Sequence, residues 1–185
     1  MKKTFLLFLL FASLKGYTQD VFKDEIFEKN IKTVLMYKEG NSLSFPVLDL
    51  RSSKKLIMTF DDLDAEIKDY GYTIIHCNAD WTLSDLDPSE YIDGYYEDQI
   101  DQYQSSFNTT VDYTHYTLTI PNDYMRPVLS GNYVIQVFEQ SNPENIIFTK
   151  RFMLVDSQTE IDADVKNMAQ SSYFYNDQQL EINVN

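Results

Sequence analysis

Apolar and polar residues alternate with a period of two along most of this chain, in short runs broken by turn-forming residues. The runs are rich in β-branched and aromatic side chains. They predict strands at 31–37 (IKTVLMY), 44–50 (SFPVLDL), 55–60 (KLIMTF) and 70–78 (YGYTIIHCN). Further strands are predicted at 110–120 (TVDYTHYTLTI), 132–139 (NYVIQVFE) and 146–155 (IIFTKRFMLV). KEGN at 38–41 and SNPEN at 141–145 have hairpin length and carry the Gly, Asn or Pro of tight turns, so each is expected to join its flanking strands. No long helical period intervenes. The pattern predicts an all-β, immunoglobulin-like antiparallel β-sandwich with one short helical turn and a long decorated loop.

The helical turn is written into DPSEYIDG, 87–94. Asp87 can cap, Pro88 takes the first helical position, and Glu90 falls where a capping box needs it. Gly94 is expected to supply a left-handed stop. Beyond it, 95–110 has mixed spacing and is the expected loop.

The ends read differently. MKK followed by TFLLFLLFASL has the charge and apolar length of a signal peptide, expected over 1–18 with cleavage near Gln19. The run is too short to span a bilayer comfortably. The sandwich is expected over 20–156, and the polar stretch 157–179 reads as a linker. LEINVN at 180–185 reads as the start of a truncated second β domain.

Charge and composition narrow the function classes. Losing Lys2, Lys3 and Lys15 with the leader takes the formal charge from −14 to −17. Such a surface repels nucleic acid and anionic lipid. A lone cysteine permits no internal disulfide, so the fold must stand on its apolar core.

HCNADW, 76–81, gathers the sole Cys, the sole Trp and one of the two His. On a strand His76 and Cys77 point to opposite faces, so they cannot share one metal ion. A Cys77–His115 nucleophile pair is conceivable. A late-strand thiol in an acidic protein is better read as a buried structural Cys. Ile74 to Cys77 then finish a core strand, Asn78 and Asp80 turn the chain, and Trp81 packs as an anchor beneath the turn that starts at Asp87. His76, Cys77, Asp80, Trp81 and Asp87 are thus structural candidates.

The carboxylates Asp61, Asp62, Asp64, Asp80, Asp85, Asp87 and Glu90 lack calcium-loop order and read as a solvated face or helix cap. No phosphate loop, dinucleotide fingerprint or serine-nucleophile elbow occurs, so no catalytic, metal or cofactor residue is expected. Asn108-Thr109-Thr110 is a glycosylation sequon. Tyr91, Tyr95, Tyr96, Tyr103 and Phe107, in or beside the loop, are the candidate partner-binding residues.

The strings HCNADW, DPSEYIDGYYEDQI, SSFNTTVDYTHYTLTIPND, SGNYVIQVFE and TKRFMLVD, in that order over roughly 25–165, resemble the type IX secretion system plug proteins of Bacteroidetes-type bacteria. The resemblance implies a periplasmic, non-enzymatic protein on the inner side of the outer membrane. It would bind and seal the periplasmic mouth of a large outer-membrane β-barrel translocon, with no cofactor, no nucleic acid and no direct membrane insertion. The alternative from the residues alone is a carbohydrate-binding β-sandwich module of an exported protein, its exposed tyrosines stacking on sugar rings.

Overall fold

The computed structural model describes residues 21–159, 161–167 and 178–184, so the leader expected over 1–18 lies outside the described residues. In chain order the first strands are β1 (Glu25–Ile26), β2 (Ile31–Lys38), β3 (Val47–Asp49), β4 (Leu56–Asp62) and β5 (Tyr70–Cys77). A helical turn, α1 (Pro88–Tyr91), follows. Then come β6 (Ile92–Gly94), β7 (Glu97–Gln99), β8 (Gln102–Ser105), β9 (Thr114–Ile120) and β10 (Met125–Pro127). β11 (Gly131–Glu139), β12 (Asn142–Val155), β13 (Ile161–Asn167) and β14 (Gln178–Val184) complete the order.

The alternation sorts these strands into two layers. One runs β1-β12-β11-β5-β7, with β3 also paired to β12, and the other runs β2-β4-β9-β8. Leu56, Met58 and Phe60 of β4 and Tyr116, Leu118 and Ile120 of β9 point inward. They meet Tyr70, Tyr72 and Ile74 of β5, Tyr133, Ile135 and Val137 of β11, and Phe148, Phe152 and Leu154 of β12. Each such side chain contributes about 1.5–3 kcal/mol by leaving water. At the centre Phe60 stacks on Tyr116 (4.9 Å between centroids) and takes the edges of Phe148 (5.0 Å) and Tyr70 (5.3 Å).

β11 does turn into β12, but at Gln140 and Ser141, so that most of SNPEN belongs to β12; the turn closes on the pair Glu139↔Asn142, with irregular register between Val137 and Glu139. KEGN does not make the expected hairpin. β2 pairs with β4, while β3 crosses to the other layer and runs parallel to β12, Val47 opposite Met153. Pro46 explains the switch. Lacking an N–H, it cannot donate to a ladder, and its carbonyl accepts from Met153 N at 2.9 Å instead.

Within the long connection, β7 pairs with Gly71–Thr73 and β8 with Thr114–Thr117. The segment therefore hands the chain from one layer's edge to the other's. Gly94 is not a helix stop. The helix ends at Tyr91, Ile92 is already extended, and Gly94 sits in β6 opposite Met125. Its φ of +116° and a Cβ position 2.1 Å from the Tyr124 carbonyl oxygen explain why glycine is needed there. The expected linker is also shorter than 157–179, because Ile161–Asn167 pairs along its length with Gln178–Val184. Alternation of Ile161, Ala163 and Val165 with acids and Lys166 makes it a strand.

The outer face of the β12 layer is not bare. Arg151 donates from its guanidinium to Phe22 O and from its backbone N–H to Asp24 Oδ1, and Thr149 Oγ1 donates to Lys23 O. Residues 21–26 thereby form a strap across β12, leading into β1.

Candidate functional site

HCNADW lies where β5 leaves the sheet. Asn78 N–H donates to Thr82 O and Trp81 N–H to Asn78 O, both at 2.9 Å, closing a tight turn. Asp80 Oδ1 accepts from Thr82 N–H (3.1 Å) and Thr82 Oγ1 (2.7 Å), and Asn78 Nδ2 donates to Thr82 Oγ1 and Leu83 O. Trp81 takes a left-handed φ of +68° in this turn. Its ring does not pack beneath α1. It is half-buried and lies under the Arg151 guanidinium, 4.3 Å from the ring centroid. A backbone turn of this hand swings the indole over β12, a direction that strand alternation alone does not reveal.

His76 and Cys77 do part to opposite faces. Cys77 is buried on the outer face, and burial pushes its thiol up to about 11, with Arg151 opposing weakly. A thiol of that kind is a poor nucleophile. His76 packs between Tyr91 (5.6 Å) and Tyr133 (5.0 Å), and its Nδ1 pairs with Ser84 Oγ at 2.9 Å. Its Nε2 is buried against the backbone at Ser130 and Gly131, with no partner in good hydrogen-bond geometry among the described residues. Burial lowers its pKa. His115 belongs to β9 in the other layer, its Nδ1 2.6 Å from Asp61 Oδ1. The structure therefore does not assemble a Cys77–His115 pair.

One member of the carboxylate set is not a solvated acid. Asp62 is fully buried at the end of β4. Its Oδ1 accepts from Asn30 Nδ2 (2.6 Å) and Asp64 N–H (3.0 Å), and its Oδ2 from Tyr70 OH (2.8 Å) and Lys68 Nζ (3.0 Å). Burial opposes ionisation, but those hydrogen bonds outweigh it and hold the carboxyl below its ordinary value. Tyr116 OH donates to Lys68 O and accepts from Lys68 N–H, so the β4–β5 connection is pinned to both layers. The sole early hint was a DDLD run ending a strand. By contrast Asp87 is exposed and caps α1, with the Glu90 carboxylate accepting from Asp87 N–H in return. Among the described residues no cluster of three or more His, Cys, Asp or Glu is arranged to hold a metal ion.

The five aromatic candidates separate. Tyr91 is buried (4% exposed) beside His76 and Tyr133, so it does not belong to a contact surface. Tyr95, Tyr96 and Tyr103 are exposed, and Phe107 stands 92% exposed. Tyr95 stacks on the exposed Tyr124 across the β6–β10 ladder (6.5 Å), a partner that the strand pattern gave no reason to select. Tyr103 tilts against the buried Tyr116 at 5.9 Å. Two open hollows flank the rings. One of about 460 Å³ is lined by Lys55, Asp98, Asp101, Asp123 and Tyr124 among others, and one of about 420 Å³ by Gln104, Phe107, Tyr113 and His115 among others. The arrangement offers aromatic contact area on a braced frame.

A family model described as type 9 secretion system plug protein 1st domain matches residues 31–156. The crystal structure of a hypothetical protein from Parabacteroides merdae ATCC 43184 is 36% identical and superposes with a TM-score of 0.77, over 90% of this chain and 42% of that one. This chain therefore spans less than half the length of that relative. Pseudomonas fluorescens alkylpurine DNA glycosylase AlkC, bound to DNA containing an abasic site analogue, is 10% identical over 68% of this chain and 30% of that one. Its TM-score is 0.31, too poor a likeness to carry an argument. No curated protein matches significantly.

Proposed function

This chain belongs to the type 9 secretion system plug protein family, its residues 31–156 matching the family's first domain, and from that premise we propose that it acts as a periplasmic stopper for an outer-membrane translocon. On this reading the chain is a component of a secretion machine rather than an enzyme. It lies against the inner side of the outer membrane and closes the periplasmic mouth of a large β-barrel when no cargo is in transit. Among the described residues no helix is long and apolar enough to cross a membrane.

The observation that carries the reading is the exposed aromatic set Tyr95, Tyr96, Tyr103, Tyr124 and Phe107 on a two-layer frame. A stopper needs bulk, rigidity and a contact surface, and aromatic anchors supply contact area at low entropic cost. Specific contacts of this kind bury on the order of 1,200–2,000 Å². The carbohydrate reading would draw on the same exposed tyrosines, without help from the indole, since Trp81 lies under Arg151. The hairpin β13–β14 is read as the opening of a second β unit, beginning at Ile161 rather than at 180.

The test is affinity purification of the tagged chain from its native envelope under mild detergent. Recovery of a large outer-membrane β-barrel protein, weakened about tenfold or more by combined Tyr95→Ala and Phe107→Ala, is the expected result. Repeated purifications that bring down no outer-membrane barrel refute the proposal.

A further inference from the structure

His76 sits in a box without a counter-charge. Tyr133 of β11 meets its ring at right angles at 5.0 Å, and Tyr91 of α1 lies at 5.6 Å. Nδ1 pairs with Ser84 Oγ at 2.9 Å, and Nε2 is buried against the backbone at Ser130 and Gly131. A Cβ at position 131 would stand 2.4 Å from Nε2, so the box closes on the ring only because that residue is glycine. The titratable groups facing the ring are the phenols of Tyr91 and Tyr133, both pushed upward by burial and so neutral. Its chain neighbour Cys77 turns to the opposite face and is a neutral thiol. Asp87, the cap of α1, acts on Tyr91 but not on His76. Among the described residues no carboxylate is placed to hold an imidazolium there.

The same box ties one segment down. Ser84 N–H donates to His76 O at 3.2 Å while its hydroxyl pairs with the ring, and Val128 N–H donates to Tyr91 O at 2.9 Å. α1 then leads straight into β6 and the exposed Tyr95. The ring is only partly buried, so its path out to water is short.

We propose that His76 is an acid-sensitive latch, which locks residues 82–91 onto β5 and β11 while its ring is neutral and releases them when the ring is protonated and swings out to water. A charged ring needs an acceptor at each nitrogen, and the box offers a well-placed one only at Ser84. Burial lowers the pKa of His76, with the backbone at Ser130 opposing, so the folded value lies below the ordinary 6.5. The latch is therefore complete above about pH 6.5 and weakens as pH falls from there toward the folded value. Between those two values its opening constant rises by up to about tenfold per pH unit. The buried Asp62 keeps its own contribution down to about pH 4, so the two effects separate in pH. The latch stands or falls independently of any translocon.

Hydrogen exchange of the full chain, followed by NMR from about pH 7.5 to 5 and corrected for the intrinsic rate at each pH, tests it. Protection of the Ser84 and Val128 amides should fall about threefold or more over that range, while that of Ile135 in β11 stays level. The chain has two histidines, so His115→Asn leaves a single ring to titrate, and its midpoint should lie below 6.5. His76→Gln and His76→Phe remove the titrating nitrogen and should abolish the pH dependence at both amides, whatever they do to stability at neutral pH. A ring midpoint at or above 6.5, protection that does not fall, or an equal fall in His76→Gln overturns the proposal.

Discussion

Replacing Asp62 by alanine should be among the most costly single changes available in the sandwich. The carboxylate is fully buried and takes one hydrogen bond each from Asn30, Asp64 N–H, Tyr70 and Lys68. Its removal strands the Tyr70 hydroxyl between the layers and leaves the Asn30 amide and the Asp64 N–H without their acceptor. Breaking a buried charged network by deleting one partner costs about 3–5 kcal/mol. Lys68 is partly exposed and can recover water, so the low end of that range applies. A domain of this size has roughly 5–15 kcal/mol in all. The assay is urea unfolding of wild type and Asp62→Ala at pH 7, followed by far-UV circular dichroism, with Asp85→Ala as an exposed control. The acid limb gives a second test. Because the folded-state pKa of Asp62 is depressed, its contribution is complete above the unfolded value of about 3.9. It is lost as pH falls through the folded value. The gap between wild type and Asp62→Ala should therefore be full at pH 7 and narrow below about pH 4. A loss at pH 7 no greater than that of the control, or a gap that widens in acid, refutes the reasoning.

Three further outcomes follow from the geometry. Gly94→Ala places a methyl carbon 2.1 Å from the Tyr124 carbonyl oxygen at a φ of +116°, so soluble yield should fall and the melting midpoint should drop by several degrees, corresponding to about 1–3 kcal/mol. Trp81→Ala removes a half-buried ring from under Arg151, and denaturant titration by circular dichroism should report about 1–2 kcal/mol, less than deletion of a fully buried indole. Cys77 is buried with its thiol pushed up to about 11, so an aromatic disulfide reagent at pH 8 should label it only after denaturant is added, and rapid labelling of the native protein contradicts the burial.

How much of this was legible in the sequence depends on where the information resides. β4, β5, β9, β11 and β12 are long and bury one face, so alternation reports them with small errors at the ends. The capping box at Asp87 and Glu90 is equally local. The edge strands β7 and β8 are short and polar, and they exist because Gly71–Thr73 and Thr114–Thr117 offer them free ladder groups. That is a tertiary cause and leaves no trace in a window of neighbours. The same holds for β3, whose parallel partner lies about a hundred residues downstream. In the HCNADW stretch the separation of His76 from Cys77 followed from alternation. The partner of Trp81 did not, because Arg151 reaches it from another strand. Tyr91 misled for a related reason. A tyrosine in a short turn four residues before the expected loop looks exposed, yet the capped turn rotates it into the core.

The strap over β12 bears on when this domain can fold. Its hydrogen bonds join Phe22, Lys23 and Asp24 to Thr149 and Arg151, residues 126 to 129 positions apart. β1, at the same end, pairs with Phe148 and Thr149. Residues 22–24 must wait for partners more than 120 positions further along the chain before the strap can form. Contacts so distant in sequence close late and slowly. The amino-terminal strap is thus among the last parts of the sandwich to close, and the outer face of β12 stays uncovered until it does.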